Sequence, residues 1–283
     1  MNPLKRFIDL FLFGNVYVAI GAACLIQSST IQFGLSNRLT SYSALTFFAT
    51  LFIYNLQRIF YKPQNNISLH SIRRKWIFEN QPAIKFLSIL GLAGVITFLF
   101  FTDPMVILYL SPLLLLTLSY FLPVVKLRKS PWFKLLTLSI VWTMVTAVVP
   151  ALLANETITS FPVLLHIFVR FIFMLGICIP FDIRDMEIDK ADKISTIPHI
   201  LGEHITRWMA FTFMMLYIAL IIVEHNVLMF DREVYYGLII SAFINTCLVL
   251  MTNSKRSEYF FVAALDGTMI LQGLLLLLAD NVF

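Results

Sequence analysis

Apolar runs of about twenty residues recur along the whole chain, and this repetition constrains the fold more than any other feature. No polar stretch between them is long enough to build a soluble core. In a bilayer the backbone must satisfy its own hydrogen bonds, so each spanning segment is a helix or a strand of a closed barrel. Runs of this length without alternating polarity favour helices. The sequence predicts an all-α, polytopic membrane bundle forming a single domain over residues 1–283.

Proline, asparagine and charged residues bound the apolar runs and give about nine predicted transmembrane helices. The predicted spans are 8–27, 38–61, 83–101, 104–122, 132–153, 161–181, 205–223, 233–251 and 258–280. Lysine and arginine concentrate at the N-terminus and in alternate connections. The positive-inside rule therefore predicts a cytoplasmic N-terminus and an external C-terminus. The expected location is the inner membrane of a bacterial cell.

The basic residues that give the chain its net charge of +5 lie in short loops, so the sequence predicts no nucleic-acid partner. Membrane lipids are the expected surroundings. One basic run, Arg73-Arg74-Lys75, occupies a long connection predicted to be cytoplasmic. Contact with anionic lipid headgroups is the favoured interpretation of this run, and a lid over an anionic substrate is the alternative.

Three carboxylates follow the sixth predicted span, at Asp182, Asp185 and Asp189. Spacings of three and four residues place them on one face if the helix continues. Such a stripe suits Mg²⁺, which proteins hold through one or two carboxylates together with substrate phosphates. A solvated helix end, with local ion pairs to Arg184 and Lys190, fits the same spacing. Spacing alone leaves both interpretations open.

The three aspartates resemble the second motif, D-x-x-D-x-x-x-D, of the UbiA superfamily of intramembrane prenyltransferases. The T-L-P and L-G patterns that follow the motif in the family are similar to 196–198 and 201–202 here. A Tyr/Pro/Lys cluster after the fourth helix is matched by Tyr120, Pro123 and Lys126. One departure is Ile188, which stands where the family commonly has glycine.

This resemblance implies a nine-helix bundle around a central cavity that opens to the cytoplasm. It implies a membrane prenyltransferase that transfers an isoprenoid group from a prenyl diphosphate to an acceptor that the sequence does not identify. Asp182, Asp185 and Asp189 would then be catalytic and would bind Mg²⁺.

The first family motif, N-D-x-x-D-x-x-x-D, is not preserved: residues 55–63 read N-L-Q-R-I-F-Y-K-P, and only Asn55 matches. Arg58 and Lys62 lie one helical turn apart and offer charges that could contact a diphosphate directly. Alternatively, Arg58 pairs with Asp182 or Asp185 and replaces the metal structurally. The predicted substrate-binding residues are Asn15, Asn55, Arg58, Lys62, Tyr120, Lys126 and Lys190.

The lost motif also supports a second function, a catalytically degenerate UbiA-fold protein that binds lipid or assists assembly. A third hypothesis is a transporter that uses Arg170, His166 and Asp266 as a polar relay. It is disfavoured because most ionisable groups lie at one predicted membrane edge. A structural ion pair between Arg170 and Asp266 is the favoured interpretation of these intramembrane charges, and a cavity lining is the alternative.

Overall fold

The computed structural model describes residues 2–35, 40–60, 71–121, 130–191 and 194–281. All regular secondary structure in these ranges is helical, which confirms the predicted all-α class. The helices are α1 (Pro3–Phe13), α2 (Val16–Gln32), α3 (Ser41–Phe60), α4 (Ile72–Glu79), α5 (Gln81–Leu99), α6 (Pro104–Phe121), α7 (Pro131–Thr143), α8 (Val149–Leu153), α9 (Phe161–Arg184), α10 (Met186–Ala191), α11 (Ile197–Leu228), α12 (Arg232–Leu250) and α13 (Asp266–Asn281). Two π-helical segments, Met144–Val148 and Phe260–Leu265, lead into α8 and α13.

Helix α9 lies at the centre of one packed group, against α7 and α11. A second group places α13 against α2 and α12, and α3 packs between α2 and α5. The largest buried apolar cluster joins these groups through side chains such as Phe173, Met214 and Leu265. Apolar faces thus meet inside the bundle, while many large hydrophobic side chains remain on its outside, as expected for a protein surrounded by lipid.

Six helices, counting α7 and α8 as one, are long and apolar enough to cross a membrane. The number becomes seven if α1 and α2, which meet at a bend of 52°, form one broken span. Each of the nine predicted spans overlaps a helix of the described chain. The multi-pass membrane class is therefore confirmed, and the total of nine spans stays a prediction.

Asn15 and Asn55 stabilise the bend between α1 and α2. Asn15 adopts a left-handed conformation with φ 62°, and its Nδ2 donates to Oδ1 of Asn55 at 3.0 Å. Asn55 Nδ2 donates to the carbonyls of Gly14 at 2.9 Å and Leu51 at 2.8 Å. Both side chains are buried, and the donors of Asn55 are fully used. The geometry shows that these amides join α1, α2 and α3, and their predicted contact with substrate stays a prediction.

The π-helical segment after α7 precedes Pro150, which has no N–H to donate to the Thr146 carbonyl four residues earlier. The hydroxyl of Ser29, from α2, donates to that carbonyl at 2.6 Å. Tyr42 donates to the neighbouring Val145 carbonyl at 2.7 Å. Side chains from two other helices therefore satisfy backbone groups at the irregular turn, as intramembrane backbone requires.

Helices α3 and α5 approach closely at Gly91. A Cβ atom there would lie 2.7 Å from the backbone nitrogen of Phe52, which cannot move independently of α3. We expect Gly91→Ala to destabilise the fold by about 1–3 kcal/mol through overpacking. The matched control is Gly237→Ala, whose Cβ would meet the flexible end of Leu276 at 3.3 Å. Unfolding in mixed detergent micelles would compare the two, and equal stability of both variants would contradict this packing.

Candidate functional site

Eight charged side chains converge around the end of α9. They come from α9 itself, the last turn of α3, the first turns of α4 and α7, the short helix α10 and the segment before α13. We call this group the ionic cluster. Its members are Arg58, Arg73, Lys134, Asp182, Arg184, Asp185, Asp189 and Glu258.

Lys134 joins two of the predicted aspartates. Its Nζ lies 2.7 Å from Asp182 Oδ1 and 3.0 Å from Asp189 Oδ2. All three side chains are largely buried. The second oxygen of Asp182, Oδ2, is buried without a hydrogen-bond partner. The ammonium therefore occupies the position between these two carboxylates.

Asp185 binds guanidinium groups instead. It ends α9, and Arg184 donates to both of its oxygens at 2.8 Å in a forked arrangement. Arg73 Nη2 approaches Oδ1 at 3.4 Å. Burial opposes ionisation of Asp185, but the adjacent Arg184 and Arg73 outweigh it and hold the pKa of this carboxyl well below its usual range. Asp185 is therefore a carboxylate at neutral pH.

Glu258 connects the short helix α4 to the bundle. It accepts a hydrogen bond from Ser71, the residue that caps α4, and lies 3.4 Å from Arg73 Nε. Arg73 is only 6% exposed. Contact with lipid headgroups, the favoured sequence interpretation, is therefore wrong for Arg73, because its guanidinium is buried among protein carboxylates. The exposed Lys75 still fits that interpretation.

Arg58 approaches the same cluster from the last turn of α3. The charges that act most strongly on it are Arg73, Arg184 and Asp185. Among the described residues, no carboxylate lies within ion-pairing distance of Arg58, and its buried Nε has no hydrogen-bond partner. The predicted ion pair between Arg58 and Asp182 or Asp185 is therefore wrong. Lys134, Arg184 and Arg73 occupy those carboxylates instead.

The other predicted site residues are not brought to the cluster by any described contact. Lys190 is exposed on α10. Lys62 and Lys126 lie outside the described residues, as does the side chain of Tyr120. Their predicted contacts with substrate stay predictions.

The three aspartates do not fit a Mg²⁺ site in this arrangement. Mg²⁺ needs nearly octahedral oxygen ligands at about 2.0–2.1 Å. Here Lys134 lies between Asp182 and Asp189, and both oxygens of Asp185 bind Arg184. In the described part of the chain, no group of three or more His, Cys, Asp or Glu side chains could hold a metal ion.

Sequence reasoning missed Lys134 and Glu258. Lys134 lies just inside the fifth predicted span, where an unpaired charge is energetically costly. Its position in the sequence therefore indicated that it has an oppositely charged partner. Glu258 begins the last predicted span and gave no comparable signal. Only the packing of α4 against the bundle reveals its role.

The intramembrane charges form a separate network toward the opposite end of α9. His166 Nδ1 lies 2.6 Å from Glu224 Oε1, and Arg170 donates to Ser29 Oγ at 3.2 Å. Asp266 instead lies in the electrostatic field of Arg184 and Arg73, near the ionic cluster. The predicted pair between Arg170 and Asp266 is therefore wrong, and the relay proposed for a transporter is not assembled.

Comparison of the sequence with protein families identifies the family. The model of the UbiA prenyltransferase family matches residues 78–264, more than half of the chain. This chain belongs to the UbiA prenyltransferase family. The matched region contains all three aspartates and Lys134 and begins after α3. A search of curated protein sequences finds no match.

Solved structures agree with this assignment of the fold. The apo structure of a UbiA homolog from Aeropyrum pernix K1 superposes with a TM-score of 0.66 at 16% identity, covering 92% of this chain and 97% of the other. A UbiA homolog from Archaeoglobus fulgidus bound to GPP and Mg²⁺ gives 0.64 at 10% identity, covering 95% and 99%. A UbiA homolog from Archaeoglobus fulgidus bound to DMAPP and Mg²⁺ gives a TM-score of 0.63 at 12% identity, covering 97% of this chain and 99% of the other.

Proposed function

We propose that this protein is a membrane prenyltransferase that binds a prenyl diphosphate at the ionic cluster and transfers the isoprenoid group to a nucleophilic acceptor. Family membership supports the reaction class. Structures of UbiA homologs bound to GPP and DMAPP support the substrate class. The isoprenoid chain would lie among the apolar helices, and the diphosphate would lie at the polar end of the bundle.

The observation that carries this proposal is the meeting of Arg58, Arg73 and Arg184 at one end of the bundle. Arginine presents a planar fork of donors that matches phosphate oxygens. Arg58 is held near two other guanidiniums without a carboxylate within ion-pairing distance among the described residues. A bound anion would relieve that repulsion and satisfy the buried Nε.

The proposed chemistry breaks the bond between C1 of the isoprenoid and the diphosphate oxygen. The electron pair stays on that oxygen, and the guanidiniums stabilise the charge that develops there. An electron-rich acceptor, such as an aromatic ring or a hydroxyl, donates an electron pair to C1 and releases a proton. The products are the prenylated acceptor and inorganic diphosphate.

We further propose that the ionic cluster faces the cytoplasm of a bacterial cell, with the N-terminus on the same side and the C-terminus outside. The distribution of lysine and arginine among the loops supports this orientation. Lys62, Tyr120, Lys126 and Lys190 are proposed as further contacts of the diphosphate or its surroundings. Asp182, Asp185 and Asp189 are proposed as positioning residues that hold Lys134, Arg184 and Arg73.

The test is binding of a non-hydrolysable geranyl thiodiphosphate to the purified full chain in detergent. We expect Arg58→Gln to weaken binding about 10- to 100-fold, the loss of one or two charge-assisted hydrogen bonds. Lys255→Gln, an exposed substitution in the loop before Glu258, is the matched control and should bind like the wild type. Calorimetry measures both affinities. Equal affinity of Arg58→Gln and the wild type would contradict the proposed site.

The second candidate function is a degenerate member of the family that binds lipid or assists assembly. The ion pairs of Lys134 with Asp182 and Asp189 favour it, because they fill the position where the family resemblance places a metal. Absence of diphosphate binding under all conditions, together with a phospholipid that copurifies with the protein, would support this function over the transferase.

A further inference from the structure

The carboxylates of the ionic cluster are committed to cations of the protein itself. Lys134 contacts Asp182 and Asp189 at 2.7 and 3.0 Å, distances typical of an ammonium bound directly to carboxylates. Arg184 occupies both oxygens of Asp185. A divalent cation between Asp182 and Asp189, or on Asp185, would require moving the buried positive charge that already occupies that position. Of the Asp182 oxygens only Oδ2 has no hydrogen-bond partner, and one oxygen alone is a poor ligand set for a divalent cation.

Two guanidinium donors of the ionic cluster lack hydrogen-bond partners. The Nε of Arg58 and the Nε of Arg73 are both buried without a hydrogen bond. Arg73 Nε lies near Glu258, but only at 3.4 Å and without hydrogen-bond geometry. A buried donor without an acceptor is costly, so these two N–H groups create a preference for an additional anion.

The position of Arg58 in the sequence strengthens this argument. Residues 55–63 occupy the place of the family's first aspartate motif, whose aspartate positions are filled by Leu56, Ile59 and Pro63. Arg58 lies between these positions and supplies a positive charge in a segment that has lost its carboxylates. Lys134 likewise places a positive charge between two aspartates of the second motif. Both halves of the site therefore present fixed protein cations.

From this geometry we propose that the protein binds the diphosphate of its substrate without bridging metal ions. Arg58 and Arg73 contact the phosphate oxygens directly, and Lys134, held by Asp182 and Asp189, adds positive charge beside them. This inference rests on the proposed prenyl diphosphate site and specifies how its charge is neutralised. The carboxylates act through the cations they hold.

The first experiment measures binding of geranyl thiodiphosphate to the wild-type chain in excess Mg²⁺ and in excess EDTA. The two dissociation constants are expected to agree within about threefold, because the protein supplies the neutralising charge. Affinity that falls more than about tenfold in EDTA would overturn the metal-independent site but leave the proposed function intact. No binding in either buffer would overturn both. This comparison needs no variant, so it does not depend on a substitution being tolerated.

The second experiment removes the internal cation. Lys134→Ala vacates the position between Asp182 and Asp189, so binding of the analogue should weaken in EDTA and recover when Mg²⁺ is added. Mn²⁺, followed by electron paramagnetic resonance, should bind this variant and not the wild type or the Lys255→Gln control. Mn²⁺ bound equally by wild type and Lys134→Ala would show that Lys134 does not occupy the cation position, and would overturn the inference.

Discussion

Replacing Arg184 with methionine is expected to destabilise the protein by about 3–5 kcal/mol, the usual cost of removing one partner of a buried ion pair. Arg184 donates to both oxygens of Asp185 at 2.8 Å, and both side chains are largely buried. Its guanidinium also lies 4.9 Å from the centre of the Phe181 ring and 5.7 Å from that of Phe261. The substitution leaves Asp185 with Arg73 alone, at 3.4 Å.

A double variant separates the ion pair from simple loss of packing. Arg184→Met with Asp185→Leu removes both charges, so it should recover much of the stability lost in Arg184→Met alone. Arg184→Lys keeps the charge but loses the two-pronged hydrogen bonding of the guanidinium, so its stability should lie between those of the wild type and Arg184→Met. Denaturation in mixed micelles measures all four proteins. A double variant no more stable than Arg184→Met would contradict the assigned pair.

The helices were predictable because their signal is local. Long apolar runs ended by proline, asparagine and charge specify where each helix lies, and each predicted span overlaps an observed helix. The bend between α1 and α2 was not predictable, since it depends on Asn55 reaching from α3 to the carbonyl of Gly14. A single predicted span over 8–27 therefore corresponds to parts of two helices.

The aspartate spacing predicted part of the site correctly. Side chains seven residues apart on a helix, such as Asp182 and Asp189, point in directions that differ by about 20° around the helix axis. Side chains three residues apart, such as Asp182 and Asp185, differ by about 60°. Asp182 and Asp189 accordingly converge on one ammonium, while Asp185 binds guanidiniums beside them. The helix is also interrupted at Asp185 (φ −87°, ψ 3°), where α9 ends and α10 begins. The expectation that all three carboxylates face one shared ligand was therefore correct for Asp182 and Asp189 but not for Asp185.

The partners of these carboxylates were not predictable from spacing. Lys134 is distant from Asp182 in sequence, and only the packing of α7 against α9 brings them together. The same holds for Arg73 and Glu258, which meet because α4 folds back onto the bundle. A family resemblance indicates which residues face a site but does not indicate which of them already have partners.

The hydroxyl of Ser29 determines the direction of its hydrogen bond with His166. It has one hydrogen, which it donates to the Thr146 carbonyl at 2.6 Å. Its two lone pairs are then available to Arg170 at 3.2 Å and His166 Nε2 at 2.9 Å. His166 Nε2 must therefore be the donor in this contact. The other ring nitrogen, Nδ1, lies 2.6 Å from Oε1 of Glu224.

Replacing Glu224 with leucine should therefore lower the free energy of unfolding by about 3–5 kcal/mol, because the buried Nδ1 of His166 loses the Glu224 oxygen that lies 2.6 Å from it. His166→Phe with Glu224→Leu should recover part of the loss. Glu156→Gln, an exposed change in the loop before α9, is the control and should stay within about 0.5 kcal/mol of the wild type. Unfolding in mixed micelles measures these differences.

Diphosphate binding distinguishes a structural network from a functional relay. His166 lies about 24 Å along α9 from Asp182, so a network that only packs helices should leave the affinity of the folded Glu224→Leu variant for the thiodiphosphate unchanged. A proton relay would instead make binding or ion flux sensitive to this residue. Loss of affinity in a Glu224→Leu protein that remains folded would show that the two ends of α9 are coupled. That result would contradict two independent ion-pair networks at those ends.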